Sequence, residues 1–258
     1  MRSLMLAALL LSPVALADSP FDGTWISKED SSTGGGKPYK ISLAKGMWES
    51  DASVPAIKVK ADGTDQPVKG HAYYDTVAVK ENGPGAADFT AKKGGKVAFT
   101  NGFQLSPDGK TLTVTWTDQT GTQPTNGENV FERTGAAPKG ANPVSGTWKF
   151  VKMQNSSAAA RTVTFKSTAD GMSMSNPTGQ SYTAKFDGKP VPIDGDPGGT
   201  KAALKKVNAN TIVETDTREG KVVEVDHMTV SKDGKSIHVT WEAPQTHRKG
   251  AYVMEKQP

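Results

Sequence analysis

Two stretches of the chain share one pattern, and this pattern decides the fold. Residues 95–116 read GKVAFTNGFQLSPDGKTLTVTW, and residues 220–241 read GKVVEVDHMTVSKDGKSIHVTW. They align without a gap and are identical at 10 of 22 positions. In the first copy Leu112, Val114 and Trp116 alternate with threonines, which predicts a strand with one buried face. The Asp-Gly pairs at 108–109 and 233–234 predict hairpin turns, because both residue types tolerate positive φ.

A two-residue turn at each Asp-Gly fixes which residues face each other across the hairpin. Both copies then place a short polar residue opposite a tryptophan on an otherwise apolar face. The predicted inward residues are Asn101, Phe103, Val114 and Trp116 in the first copy, and Glu224, Asp226, Met228, Val239 and Trp241 in the second. Ligand cavities combine an apolar lining with a few polar groups. The predicted ligand-binding residues are therefore Trp116, Asn101, Phe103, Trp241, Asp226, Glu224 and Met228.

The similarity extends to the ends of both copies. Gly-Thr-Trp occurs at 23–25 and again at 146–148, and Val-Phe-Glu-Arg at 130–133 corresponds to Val-Met-Glu-Lys at 253–256. A repeat this long predicts tandem domains rather than a solenoid. We expect one repeat over 18–134, a Gly-, Ala- and Pro-rich exposed linker over 135–143, and a second repeat over 144–258.

Each copy is predicted to be all-β. About eight strand candidates follow one another in the first copy, at 23–29, 38–45, 55–60, 73–80, 87–92, 96–106, 110–118 and 128–134. No amphipathic helical stretch of useful length occurs, and Gly34–Lys37 is expected to form a flexible turn. Sequential antiparallel strands favour an up-and-down barrel, which removes exposed sheet edges. A sandwich, or a partly open sheet, is the alternative.

The first 17 residues have the features of a signal peptide. Arg2 precedes an apolar run from Leu4 to Leu11, and the segment ends Ala15-Leu16-Ala17, the pattern of a signal-peptidase site. The run is shorter than the about 20 residues that a transmembrane helix needs. We expect cleavage after Ala17 and a periplasmic or secreted protein without a membrane span.

Composition excludes several classes of protein. The chain of 258 residues has no cysteine, which rules out a disulfide scaffold, a cysteine enzyme and a cysteinyl zinc site. Its formal charge is +4, and Lys201, Lys205 and Lys206 form the densest basic group. Such a face could contact an anionic component of the cell envelope. No basic motif with interleaved aromatics indicates nucleic-acid binding.

Gly-Thr-Trp at the start of a meander of hairpins resembles the calycins, the group of lipocalins and fatty-acid-binding proteins. In that family the tryptophan closes the floor of the barrel, and the matching positions here are Gly23, Trp25, Gly146 and Trp148. Lipocalins also place an arginine near the last strand over that tryptophan. Arg133 matches it in the first copy, and Lys256 stands at the equivalent position in the second. The chain as a whole also resembles exported bacterial proteins of unassigned function.

The sequence favours a binding protein over an enzyme. It contains no His-Glu-x-x-His motif and no Gly-x-Ser-x-Gly motif, so we predict no catalytic residues, no metal and no cofactor. The leading hypothesis is an exported protein that holds a small apolar or amphipathic molecule in one or both barrels. One alternative is a structural or interaction protein of the envelope. Another is a hydrolase with Glu224 or Asp226 as general base.

Overall fold

The computed structural model describes residues 19–258, so the predicted signal peptide lies outside the described residues. The described chain is all-β and forms two nearly closed antiparallel barrels. Within residues 19–258, helical structure is confined to a short 3-10 turn, Glu29–Ser31, and one turn of α-helix, α1 (Ala158–Arg161). No helix among these residues is long and apolar enough to cross a membrane.

Barrel 1 is a continuous meander of ten strands. They are β3 (Tyr39–Ala44), β4 (Met47–Ser50), β5 (Ile57–Lys60), β6 (Gln66–Pro67), β7 (Thr76–Glu81), β8 (Ala86–Lys93), β9 (Lys96–Leu105), β10 (Thr111–Asp118), β11 (Thr125–Gly135) and β12 (Gly146–Gln154). Consecutive strands pair with each other except β5 and β6, which are the two ends of the sheet, and β12 pairs with β3. The up-and-down topology predicted from the hairpins is therefore confirmed.

Barrel 2 has the same order of strands but is assembled from two parts of the chain. Its strands are β1 (Gly23–Ser27), β13 (Thr162–Ser167), β14 (Gly171–Ser175), β15 (Ser181–Lys185), β16 (Val191–Pro192), β17 (Lys201–Asn208), β18 (Thr211–Arg218), β19 (Lys221–Val230), β20 (Ser236–Ala243) and β21 (Arg248–Lys256). The first strand, β1, lies between β21 and β13. A further strand, β2 (Thr33–Gly36), pairs with β21 outside this order.

Isolated bridges bring the sheet ends of each barrel together. In barrel 1 Asp62 bridges Lys80, and in barrel 2 Asp187 bridges Lys205 at the equivalent position. The Gly188 amide donates to the Leu204 carbonyl at 3.0 Å across this seam. Closure leaves few free strand edges, which otherwise promote aggregation.

The barrels do not coincide with the sequence repeats. The Gly-Thr-Trp strand of the first repeat, β1, completes barrel 2, and that of the second repeat, β12, completes barrel 1. Residues 135–143 consequently connect two strands of barrel 1, and the chain passes to barrel 2 over 155–161. The two repeats have exchanged their first strands within one molecule.

The predicted hairpin register is confirmed in both copies. Asn101 faces Trp116 and Phe103 faces Val114 in barrel 1, while Asp226 faces Trp241 in barrel 2. Two expectations were wrong. Each barrel has ten strands rather than eight, and Gly34–Gly36 forms a paired strand rather than a flexible turn, because its backbone hydrogen-bonds to β21.

The tryptophan of each Gly-Thr-Trp strand lies in the hydrophobic core of a barrel. The indoles of Trp25 and Trp148 are fully buried, and their Nε1 atoms donate to the carbonyls of Phe21 (2.8 Å) and Val144 (3.0 Å). The Arg133 guanidinium lies 4.2 Å from the Trp148 ring centroid. The Lys256 ammonium lies 5.3 Å from that of Trp25. Both cations are within the range of an attractive cation–π contact.

Side chains of the two barrels meet. Trp241 of barrel 2 lines the same cavity as Asn101 and Phe103 of barrel 1. Arg218 of barrel 2 donates through Nη2 to the Tyr73 hydroxyl of barrel 1 at 2.8 Å, and its guanidinium carbon lies 4.8 Å from the Tyr73 ring centroid. Side chains of barrel 2 thus contact barrel 1 at two places.

Candidate functional site

Barrel 1 contains a cavity of about 350 Å³ at its end towards barrel 2. This volume is near the lower limit of about 300 Å³ for small-molecule pockets. Its inner wall comes from the strands of barrel 1, and its cover comes from β2, β20 and β21. The lining includes Tyr39, Asn101, Phe103, Phe131, Trp148 and Trp241.

The wall of this cavity is mainly aromatic and aliphatic. Phe103 packs against Trp48 with 5.0 Å between ring centroids, and Tyr39 meets Phe131 edge to face at 5.1 Å. Rings packed in this way support one another, each pair adding about 0.5–1.5 kcal/mol beyond burial. The cavity is therefore bounded by a stiff apolar surface that suits a hydrocarbon or an aromatic ring.

The rim of the cavity is basic. Lys37, Lys149, Arg248 and Lys249 line it, and the first two form ion pairs with Asp51 (3.5 Å) and Glu132 (3.2 Å), which do not line the cavity. Arg248 donates from Nη1 to the Ala52 carbonyl at 2.7 Å and from Nη2 to the Asp51 carbonyl at 3.2 Å. Its Nε is buried and has no hydrogen-bond partner among the described residues. Such a donor loses its hydration without a replacement, which costs about 1–3 kcal/mol.

Glycines allow β2 to cover the cavity. A Cβ at Gly34 would lie 2.5 Å from the Phe150 ring, and one at Gly36 would lie 2.3 Å from the His247 carbonyl oxygen. Gly36 also has φ of +81°, which glycine adopts without steric cost. A side chain at either position would separate β2 from the barrels.

The interior of barrel 2 differs chemically at the same positions. Where barrel 1 has Phe89, Ala91, Phe99 and Asn101, barrel 2 has Glu214, Asp216, Glu224 and Asp226. These carboxyls form two directly opposed cross-strand pairs, Glu214 with Asp226 and Asp216 with Glu224. Like charges placed directly opposite each other destabilise a sheet.

Burial and mutual repulsion favour the neutral forms of these four carboxyls. Desolvation raises the pKa of Glu214 to about 8, and the charge of Asp216 adds to this rise. Desolvation and the charge of Glu224 raise the pKa of Asp226 to about 9. Similar causes raise the pKa of Asp216 to about 7, against the opposing effect of Arg218. Desolvation also raises the pKa of Glu224.

The predicted site residues divide into separate locations. Asn101 and Phe103 line the barrel 1 cavity, and Trp241 joins them from the other barrel. Trp116 faces Asn101 in register, but its ring lies over Gly127 and lines a different groove, towards α1 and the β14–β15 hairpin.

In barrel 2, Glu224 lines a second cavity of about 370 Å³ at the open end, together with Asp216 and Arg218. Asp226 lies beside Glu224 on the inner face, opposite both Glu214 and Trp241. Met228 is buried deeper, between Ile212 and Val239, and belongs to the hydrophobic core.

Sequence reasoning missed Arg248, Glu214 and Asp216. Glu214 and Asp216 could have been found, because Ile212, Glu214 and Asp216 alternate along β18 and so share one face. Arg248 offered no such signal, since it meets the cavity only through the packing of one barrel on the other.

No family model matches the sequence, and neither a curated protein nor a solved structure shows significant similarity to it. The fold therefore defines the class, an all-β protein of two exchanged antiparallel barrels.

Proposed function

We propose that this chain is a non-enzymatic binding protein that holds a small amphipathic molecule with an anionic head group in barrel 1. The observation that carries the proposal is the aromatic cavity of about 350 Å³ whose charged lining residues are all basic. An apolar tail gains about 25 cal/mol for each Å² that it buries. A carboxylate or similar group gains charge-assisted hydrogen bonds from Arg248.

The geometry of the buried tryptophans supports a relationship to the calycins. Both Gly-x-Trp strands carry a fully buried tryptophan with a cation over its ring. We infer calycin-like barrels on this basis, and an exported location from the leader segment over residues 1–17.

The proposal is tested by tryptophan fluorescence with two ligands that share a tail. Trp148 and Trp241 border the cavity, so occupancy should change their emission. We expect decanoate to bind and decyltrimethylammonium to bind about tenfold more weakly, because only the carboxylate can pair with Arg248. Equal binding of both ligands, or no binding of decanoate, would contradict the proposal.

Two variants with matched controls locate the site. Val114→Phe fills the cavity and should abolish decanoate binding, while Thr115→Phe places the same ring on the outer face and should not. Arg248→Met should weaken binding about tenfold, the value of a charge-assisted hydrogen bond. Arg161→Met removes another arginine between the barrels, one that donates to the Ser27 carbonyl away from the cavity, and should leave binding unchanged.

A further inference from the structure

We propose that the interior of barrel 2 is a second binding site, selective for an organic ammonium ion. The site is formed by Glu214, Asp216, Glu224 and Asp226 on the inner faces of β18 and β19. It is separate from the cavity of barrel 1 and takes a ligand of opposite charge. It does not rest on the function proposed for barrel 1.

The four carboxyls of barrel 2 lack a counter-charge. Among residues 19–258 none of the four forms an ion pair within 4 Å. The nearby cation, Arg218, is instead held by the hydroxyls of Tyr73 and Thr200, at 2.8 and 2.9 Å. One guanidinium at the rim leaves an excess of acidic groups inside.

Polar atoms point into the interior of barrel 2 without hydrogen-bond partners. Asp216 Oδ1 is completely buried and has no hydrogen-bond partner in the described part of the chain. The hydroxyl of Tyr252, on the adjacent β21, likewise forms no hydrogen bond with residues 19–258, and desolvation and the charges of Asp226 and Glu224 raise its pKa. By contrast, the Tyr182 hydroxyl donates to Glu214 Oε2 at 2.7 Å. Unpartnered acceptors beside an aromatic ring match the requirements of an ammonium group.

The barrel fold does not need acidic residues at these four positions. Barrel 1 closes with the same topology while carrying Phe89, Ala91, Phe99 and Asn101 at the equivalent positions. Buried acidic pairs reduce stability, and unpartnered ones reduce it further. Their presence in one barrel alone therefore points to a ligand of that barrel.

The spacing of the acids favours an organic cation over a metal ion. No group of three or more acidic or histidine side chains in residues 19–258 converges closely enough to hold a metal. The acids instead extend along two strands, from the 370 Å³ cavity at the open end, where Glu224 and Asp216 lie, inwards to Asp226 and Glu214. A flexible chain with an ammonium group at each end can satisfy both levels.

Binding of such a cation releases protons. The carboxyls exchange O–H bonds for contacts with the N–H groups of the ligand, and the protons pass to solvent. Several titratable groups face this site and influence the release of protons. They are the four carboxyls, Asp196, Arg218, Tyr73, Tyr182 and Tyr252. Affinity should therefore rise as the pH rises, since deprotonation no longer has to accompany binding.

The test is calorimetric titration of the full chain with 1,4-diaminobutane, in two buffers of different ionisation enthalpy. We expect one diamine per chain, proton release, and binding about tenfold tighter at about pH 8.5 than at about pH 6.5. Asp226→Asn and Glu224→Gln should each weaken binding about tenfold. Glu242→Gln, an exposed acid on the outer face opposite Val225, is the control and should bind as the unmodified chain does.

Unchanged binding in both interior variants, absence of binding at the higher pH, or Ca²⁺ binding that the diamine does not displace would each overturn the proposal. The neutral variants relieve repulsion, so their thermal unfolding midpoints should not fall, and weakened binding then reports on the site. Decanoate titration of Glu224→Gln, which does not face Trp241, separates the two barrels. Decanoate binding should be unaffected in this variant, whatever the outcome with the diamine.

Discussion

At the scale of single residues, the two barrels assign opposite chemistry to equivalent positions. Asn101 and Asp226 both face a tryptophan on the inner surface, yet one borders an aromatic cavity and the other belongs to a cluster of carboxyls. Since the backbone register is the same, the side chains alone determine what each interior can accept.

The carboxyls of barrel 2 make stability depend on pH. Burial holds the pKa values of Glu214, Asp216 and Asp226 at about 8, 7 and 9 in the folded chain, above their unfolded values. The stability that their protonated forms provide is complete below the unfolded pKa values near 4 and is lost as the pH rises through about 7–9.

The thermal unfolding midpoint of the ligand-free protein should accordingly fall between about pH 6 and pH 9. We expect at least about 2–4 °C, which corresponds to about 1 kcal/mol in a chain of this size. Asp226→Asn should reduce the fall. Exposed turn aspartates such as Asp108 and Asp233 have lowered pKa values and act at acidic pH, outside this window. A midpoint that stays level or rises would show that the carboxyls are not buried together.

Asn142 provides a second test at this scale. Its buried side chain accepts hydrogen bonds from the amides of Gly85 and Val144, and donates to Glu81 and to the Gly83 carbonyl. Asn142→Ala leaves these groups unpaired and should lower the free energy of unfolding in urea by about 1–3 kcal/mol. Asn82→Ala, at an exposed position, should change it by less than about 0.5 kcal/mol.

At the scale of elements, β2 links barrel 2 to the cavity of barrel 1. Gly36→Ala adds a methyl group that meets the His247 carbonyl at a positive φ. It should detach β2 and weaken decanoate binding. Gly46→Ala has a similar φ of +71° with nothing near its Cβ, so it carries the backbone cost of about 1–2 kcal/mol without the clash. Equal effects of the two variants on decanoate affinity would contradict this role of β2.

The sequence predicted those elements whose signals are local. The hairpins at Asp108–Gly109 and Asp233–Gly234 were found with correct register, because turn type and alternation lie within about 20 residues. Short strands such as β6 were missed, since two residues carry no periodicity. The pairing of β2 was missed because Gly-rich segments have no side chains to reveal a face.

The exchange of β1 and β12 could not be read from the repeats. Either β1 or β12 can complete either barrel, as both begin with Gly-Thr-Trp, and only long-range packing decides between them. For the same reason Asn101 and Phe103 could be assigned to a cavity, while the contribution of Trp241 and Arg248 from the other barrel could not.

At the scale of the whole molecule, the exchange predicts which fragments fold. A fragment over 37–157 contains all ten strands of barrel 1 and should give a cooperative unfolding transition. A fragment over 19–134, the first sequence repeat, lacks β12 and should remain unfolded alone. Mixing it with 144–258 should restore both barrels. Independent folding of 19–134, measured by circular dichroism and urea unfolding, would argue against the exchange.

The central claim is that barrel 1 holds an anionic amphiphile. A crystal structure of the protein grown with decanoate tests it most directly. We predict the alkyl chain between Phe103 and Trp148 and the carboxylate within hydrogen-bonding distance of the Arg248 guanidinium. A barrel 1 cavity without decanoate, or decanoate bound only in the groove outside the barrels, would contradict the claim.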